Sequence, residues 1–200
     1  MKISAEQVKA LRQKTGAGVL NCQKALEEAQ GDLEAAAKIL REKGMVKAAG
    51  RSGREARDGV VDLYSHGEGR LGVMIEVSTE TDFVARTPEF QKFAHEMALQ
   101  VAATSPRWVS PDDVPEEILE QQRSASREAA LAEGKPENVV ERIVEGKLEK
   151  FLSEVCLMNQ PYVRDEDRKV SEVMQDLILA TGENVSIRRF ERWELGEAQD

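Results

Sequence analysis

Side chains that could carry out chemistry are scarce in this sequence. The chain contains two cysteines, Cys22 and Cys156, and two histidines, His66 and His95, which lie far apart. Neither a CxxC pair nor an HExxH motif is present, so the sequence lacks the ligand spacing of a zinc site. It also lacks GxxxxGK[ST], the loop with which P-loop NTPases bind phosphates. Since no pair of carboxylates stands apart as an acid and a base, we predict no catalytic residue, no metal site and no cofactor.

The charge and the cysteine content narrow the classes of partner. The 28 basic and 37 acidic residues give a net charge of −9, which disfavours binding to nucleic acid or to a membrane surface. No stretch is apolar enough to span a membrane or to serve as a signal peptide. Two distant cysteines favour packed free thiols in a reducing compartment, with a cross-link between two copies as the alternative. We expect a soluble cytoplasmic protein.

One apolar residue stands out instead of a catalytic group. Phe83 lies in the run Thr81-Asp82-Phe83-Val84, directly after a strand pattern. Thr81 and Asp82 are residue types that cap helix N-termini, so a helical turn is predicted to begin there. Phe83 could belong to the core, or it could be displayed between the strand and the helix for a partner. Burial in a partner pocket would recover about 1.5–3 kcal/mol.

A β-hairpin and a helix must position this run. Residues 60–66 and 70–78 have the patterns of two strands, and a short glycine-containing turn joins them. A third strand is predicted over 184–195, with a slip of phase in its middle that is typical of a bulge or an edge strand. Pro88 favours the start of a helix directly after the Phe83 run.

The remaining half of the chain is predicted to be mainly helical. Residues 115–158 form an acidic segment with two helix patterns, broken at Gly134-Lys135-Pro136, and such a pair packs as an antiparallel hairpin. The predicted fold class is therefore α+β. Its core, over residues 59–200, is a three-stranded antiparallel sheet with helices that include the hairpin.

The first 44 residues have a pattern of their own. Three short apolar stripes follow one another, a capping-box pattern stands at Ser4, and Gly44 is predicted to end the third helix. This pattern predicts a three-helix bundle, which could be a structural cap or a docking module. Residues 45–58 form a basic linker, which is either solvated and flexible or in contact with an acidic partner surface.

Four segments of the chain together resemble the elongation factor Ts family. They read LRQKTGAGVLNCQKAL at 11–26, EVSTETDFVAR at 76–86, EGKPENVVERIVEGKLEKF at 133–151 and ENVSIRRFERWELGE at 183–197. The resemblance extends over residues 3–196, and the length is similar to that of the short, single-repeat form. It implies a ubiquitin-associated-like fold for the N-terminal bundle. Ser78-Thr79 departs from the usual Asn-Cys of the family, at positions expected to lie inside the strand end.

The resemblance also implies a function. It implies a guanine-nucleotide exchange factor for elongation factor Tu that acts in translation elongation and is no enzyme. The segment that it associates with displacing magnesium from that partner is Thr81, Asp82, Phe83 and Val84. The bundle residues that it associates with partner binding are Leu11, Arg12, Thr15, Gly16, Val19 and Leu20. The short form implies that two copies combine, which gives a two-plus-two complex with the GTPase.

Other classes of function stay open from the residues alone. A chaperone-like or structural protein could use the small bundle to bind other chains. An RNA-binding translation protein is a weaker alternative, because the net charge of −9 disfavours it. The absence of a transit peptide favours a bacterial source over an organelle.

Overall fold

A computed structural model of the chain describes residues 3–15, 17–50 and 53–197. Within them the helices are α1 (Ala5–Thr15), α2 (Val19–Glu28), α3 (Leu33–Ala49), α4 (Asp82–Ala85), α5 (Pro88–Thr104), α6 (Glu116–Ala132), α7 (Glu137–Val155) and α8 (Val170–Thr181). The strands are β1 (Asp58–His66), β2 (Leu71–Thr79), β3 (Pro161–Tyr162), β4 (Asp165–Lys169) and β5 (Val185–Glu194). This composition confirms the predicted α+β class.

The main sheet contains the predicted hairpin and the predicted third strand. Its three strands pair antiparallel in the order β1-β2-β5, so β2 lies in the middle and the other two are edge strands. Gly59 permits a close approach between β1 and β2. Its φ is +152°, and a Cβ at this position would lie 2.1 Å from the Val77 carbonyl oxygen and 2.8 Å from the Ser78 Cα. Any larger residue would have to push two strands apart at this point.

The chain divides into two compact units. The first consists of Met1–Leu63, Ile75–Glu96 and Glu172–Arg188, and the second of Tyr64–Met74, Met97–Ser171 and Arg189–Asp200. In the first unit, α1, α2 and α3 enclose a small core of their own that includes Leu11, Cys22, Leu26 and Leu40. The sequence predicts this bundle from three short apolar stripes, because each helix needs only one narrow face to reach so small a core.

Local hydrogen bonds fix the helix starts of the bundle. The predicted capping box is present: the Ser4 backbone N–H donates to Gln7 Oε1 at 3.0 Å, and the Gln7 N–H donates to Ser4 Oγ at 3.1 Å. At α3, Asp32 Oδ1 accepts from the N–H groups of Glu34 and Ala35. These side chains satisfy backbone donors that have no partner inside the helix.

The second unit contains the predicted helical hairpin. Ala130 near the end of α6 packs with Val140 and Val144 in the first half of α7, and the Arg127 guanidinium lies 2.6 Å from the Glu141 carboxylate. This pairing of late with early residues is that of an antiparallel hairpin. Elsewhere in this unit, Gln100 connects α5 to the small β3-β4 hairpin: its amide donates to the Pro161 carbonyl and accepts from the Val163 N–H.

Three features differ from the sequence-based expectations. Helix α3 continues through Gly44 to Ala49, so it enters the segment that the sequence assigns to a linker. One glycine inside a helix costs only about 1 kcal/mol relative to alanine, and the lysine and alanines that follow favour helix. Helix α8 and the β3-β4 hairpin were not predicted at all. The boundaries of the predicted domains stay predictions.

Candidate functional site

Two threonines bracket the turn that carries Phe83. Thr81 is the N-cap of α4, and its hydroxyl accepts from the Val84 N–H at 3.4 Å. Past the helix, the Thr87 hydroxyl donates to the Val84 carbonyl at 2.8 Å and accepts from the Phe90 N–H at 3.3 Å. Residues 81–87, here called the Phe83 turn, thus contain α4 between two threonine caps, and α5 begins at the next residue. The predicted helical start at Thr81 is confirmed.

The Phe83 turn directs its side chains in different directions. Phe83 is 82% exposed, whereas Ala85 on the same turn is buried. Val84 is half-buried, and Asp82 lies 3.0 Å from the Arg86 guanidinium in an ion pair that is itself largely exposed. Phe90 on α5 is fully buried, so an aromatic side chain of this unit can find space in the core. The exposure of Phe83 therefore follows from its position at the turn.

A carboxylate from another part of the chain holds the start of this turn. Glu183 accepts three hydrogen bonds: from Thr79 Oγ1 at 2.9 Å, from the Thr81 N–H at 3.0 Å and from Thr81 Oγ1 at 2.7 Å. Ionised acceptors form stronger hydrogen bonds than neutral ones. Sequence reasoning did not find Glu183. The available signal was its place between Gly182 and the predicted third strand, in a segment that resembles the family.

The neighbouring residue adds a second set of contacts. The Asn184 N–H donates to Glu80 Oε1 at 2.7 Å, and its side-chain amide donates to the Arg54 carbonyl at 2.8 Å. The Arg54 guanidinium lies 3.5 Å from the Glu80 carboxylate. Ser78 and Thr79 are buried at the end of β2, as expected for positions inside the strand end. Side chains from three separate segments therefore meet at the base of the Phe83 turn.

The bundle exposes some of the predicted partner-binding residues and buries one. Val19 and Leu20, at the start of α2, are 51% and 71% exposed. Arg12 is exposed and Thr15 is half-buried, with the Thr15 hydroxyl donating to the Leu11 carbonyl at 2.8 Å. Leu11 itself is fully buried in the bundle core, where no partner can touch its side chain, so we assign it to packing. Gly16 lies outside the described residues.

The groups that could do other chemistry have ordinary surroundings. Cys22 and Cys156 are free and buried. His95 Nδ1 lies 3.0 Å from Asp62 Oδ2, and His66 stacks on Tyr64 with its Nδ1 3.2 Å from the phenol oxygen. In the described part of the chain, no group of three or more histidine, cysteine or acidic side chains could hold a metal ion. Nor does any helix there have the length and apolar character needed to cross a membrane.

Comparison with known proteins gives a consistent result along the whole chain. The family model described as Elongation factor TS matches residues 2–197. A protein named Elongation factor Ts from Carboxydothermus hydrogenoformans is 52% identical over 195 residues, which cover 98% of this chain and 90% of that protein. Its namesake from Caldanaerobacter subterraneus subsp. tengcongensis is also 52% identical, with 98% of both chains covered. The one from Coprothermobacter proteolyticus is 50% identical over 197 residues and is covered completely.

Proposed function

Because the chain belongs to the elongation factor Ts family, we propose that it is a guanine-nucleotide exchange factor for elongation factor Tu in translation elongation. The observation that carries this proposal is the exposure of Phe83, 82%, on a turn that is capped at both ends. A large apolar side chain held out in this way is suited to a pocket on another protein. The protein acts in the cytoplasm, takes no cofactor and contacts neither nucleic acid nor membrane directly.

Exchange of this kind needs no covalent chemistry, so it needs no enzyme. If binding of the protein lowers the affinity of the GTPase for nucleotide by some factor, nucleotide lowers the affinity for the protein by the same factor. The protein therefore speeds GDP release by stabilising the nucleotide-free GTPase. Rebinding of GTP then releases the protein. The scarcity of catalytic side chains in the sequence is consistent with this mechanism.

The Phe83 turn is the part that we propose disturbs the magnesium site of the GTPase. In P-loop GTPases the ion is held by a P-loop hydroxyl and an aspartate, and it neutralises the nucleotide phosphates. Phe83 inserts beside the helices that support this site and displaces the ion. Val84 widens the apolar contact, and Asp82, paired with Arg86, orients the turn at its surface. Thr81 caps the turn.

The N-terminal bundle supplies binding energy away from the nucleotide site. Val19 and Leu20 form its exposed apolar pair, and Arg12 and Thr15 complete the proposed docking surface. Burial of two such side chains stabilises the complex without requiring any change in the GTPase. This energy offsets the cost of distorting the magnesium site.

Release of labelled GDP from purified elongation factor Tu tests the proposal. The expected result is faster release with the wild-type protein and loss of nearly all of the acceleration in Phe83→Ala, with the fold retained. Leu131→Ala is the matched control, because Leu131 is a 53% exposed apolar side chain on α6. If the wild-type protein leaves GDP release unchanged, the proposed function is wrong.

We also propose that two copies pair, which gives the two-plus-two complex. Both outer strands of the main sheet are edge strands, and β1 exposes Val61 and Leu63 at 59% and 69%. Unpaired edges and exposed apolar strand residues favour association with another chain. Light scattering should give the mass of a dimer for the wild type and a lower mass for Leu63→Lys. A monomer at micromolar wild-type concentration would overturn this proposal.

A further inference from the structure

The segment between α8 and β5 lies against the base of the Phe83 turn. Gly182 ends α8 with a φ of +79°, and its N–H donates to the Ile178 carbonyl at 3.0 Å. This left-handed turn redirects the chain so that Glu183 faces the end of β2. The Glu183 carboxylate then accepts from Thr79 and Thr81, while Asn184 donates to the Glu80 carboxylate. Each of the two segments thus supplies an acceptor for the other.

The bond from Thr81 to Glu183 determines how Thr81 caps α4. A threonine hydroxyl has one proton and two lone pairs. The Thr81 proton is directed at Glu183 Oε1 at 2.7 Å, which leaves the lone pairs for the Val84 N–H at 3.4 Å. The Thr81 backbone N–H is fixed by the same carboxylate at 3.0 Å. Glu183 therefore sets both the rotamer and the backbone position of the cap.

The Phe83 turn depends on such a contact, because it cannot hold its own shape. Helix α4 has four residues, which is too few to be stable without outside contacts. The strand and the helix on either side have buried apolar anchors, including Ile75, Val77 and Phe90. Glu183 is half-buried, unlike these fully buried anchors. Its loss should free the turn and leave the flanking elements in place.

We propose that Glu183 is a positioning residue, which holds Thr81 so that the Phe83 turn is presented in one orientation. This inference rests on the proposed exchange function. Glu183 lies at the base of the turn, where it accepts from Thr79 and Thr81, and we expect it to act through these two threonines and not through contact with the nucleotide or the magnesium ion. Its effect is therefore on the maximal rate of exchange, because the orientation of Phe83 matters most when the magnesium site is being displaced.

Three substitutions of the same residue separate positioning from simple packing. Glu183→Ala removes all three acceptors, and Glu183→Asp places the carboxylate one methylene short of Thr81. Glu183→Gln keeps three hydrogen bonds at the wild-type length: its amide oxygen accepts from Thr79 and the Thr81 N–H, and its amide nitrogen donates to Thr81 Oγ1, which reverses that bond and leaves the second Thr81 lone pair for the Val84 N–H. Glu149→Ala, at an exposed position of α7, is the matched control.

The first readout is labelled GDP release from elongation factor Tu at increasing concentrations of each variant. For Glu183→Ala and Glu183→Asp we expect the maximal rate to fall by about tenfold or more, which corresponds to about 1.4 kcal/mol. The half-saturating concentration should change by less than about threefold, since the bundle surface is untouched. For Glu183→Gln and Glu149→Ala, the maximal rate and the half-saturating concentration should both remain within about threefold of the wild-type values.

The second readout needs no partner. Amide hydrogen exchange should be faster at Val84, Ala85 and Arg86 in Glu183→Ala, because their donors depend on the α4 cap, and unchanged in α5. A purely structural Glu183 predicts the opposite pattern: loss of protection throughout the unit, a parallel fall in thermal midpoint and rate, and no rescue by glutamine. If Glu183→Ala fails to fold, the comparison of Glu183→Asp with Glu183→Gln distinguishes positioning from a structural role by the same two readouts.

The outcomes distinguish the two proposals. If the wild type does not speed GDP release, the exchange function fails, and hydrogen exchange alone decides whether Glu183 positions the turn. If the wild type is active and Phe83→Ala is slow, but Glu183→Ala and Glu183→Asp keep the wild-type maximal rate, the positioning role is overturned and the exchange function stands.

Discussion

Replacing Phe83 with alanine should leave the fold almost as stable as before. Full burial of a phenylalanine contributes about 1.5–3 kcal/mol, and Phe83 is 82% exposed. Burial of the remaining fifth of its surface contributes roughly 0.3–0.6 kcal/mol to the free energy of unfolding. Alanine is the better helix former within α4, which returns a few tenths of a kcal/mol. The net change in the free energy of unfolding should thus stay within about 0.5 kcal/mol, or a shift in Tm of roughly 2 °C or less.

Phe90 offers a matched control in the same unit. It is the same residue type and is fully buried. Truncation of a buried phenylalanine leaves a cavity and costs about 3–5 kcal/mol, which for a chain of this size lowers Tm by roughly 6–20 °C. Guanidinium unfolding and thermal scans by circular dichroism should therefore separate the two variants clearly.

The stability result decides how the exchange result is interpreted. Full burial of the exposed part of Phe83 in a partner would recover roughly 1.2–2.5 kcal/mol. This energy corresponds to about 8- to 70-fold in the ratio between the nucleotide affinities of the GTPase without and with the protein bound. A fall of this size in exchange, with stability unchanged, assigns the effect to the interface. If Phe83→Ala instead lowers the free energy of unfolding by more than about 1.5 kcal/mol, Phe83 is a packing residue and the reasoning fails.

Three further outcomes are expected. Gly59→Ala should destabilise the protein by about 2–4 kcal/mol in guanidinium unfolding, because the new Cβ would lie 2.1 Å from a backbone oxygen. The control Gly72→Ala should be neutral or slightly stabilising, because a Cβ at Gly72 would have no neighbouring atom within 4 Å. Burial, with a smaller contribution from Asp113, raises the pKa of the Cys156 thiol from 9.0 to about 11. The neutral thiol therefore contributes stability that is complete below pH 9 and is lost as the pH rises through 11. The difference in the free energy of unfolding between the wild type and Cys156→Ala should shrink over that range. Replacing both Val19 and Leu20 with serine should raise the concentration for half-maximal exchange by about tenfold without changing the maximal rate. The control Val139→Ser, at a 37% exposed position of α7, should change neither quantity. A lower maximal rate in the Val19 and Leu20 variant would contradict the docking role.

The predictable parts of the Phe83 turn are those with local causes. A threonine N-cap bonds to a backbone group three residues away, so Thr81 indicates a helix start from the sequence alone. The capping box at Ser4 and the alternation along β2 are equally local. The exposure of Phe83 is different, since both a buried and a displayed side chain fit the same sequence. Only the three-dimensional position of the turn decides between them.

The missed parts of the site have causes that are distant in sequence. Glu183 lies 104 positions from Thr79 and 102 from Thr81, so no pattern within a window could connect them. Helix α8 is a different case, because its signal is local: Val170, Leu177 and Ile178 recur at the i, i+7 and i+8 spacing of one helix face, so the sequence does contain the pattern that predicts this helix.

Rigidity is what makes an exposed phenylalanine useful to an exchange factor. Ordering the four residues of α4 upon binding would cost about 4–8 kcal/mol of backbone entropy, which exceeds the 1.5–3 kcal/mol that burial of Phe83 can return. Insertion of Phe83 from a disordered loop would therefore be unfavourable. The hydrogen bonds from Thr81 to Glu183 and from Thr87 to Val84 offset this entropy loss when the protein folds, before any partner binds. In the proposed mechanism, the energy of Phe83 burial is then left to act on the nucleotide site of the partner, and we therefore expect Glu183, which fixes the turn through Thr81, to control the rate of exchange.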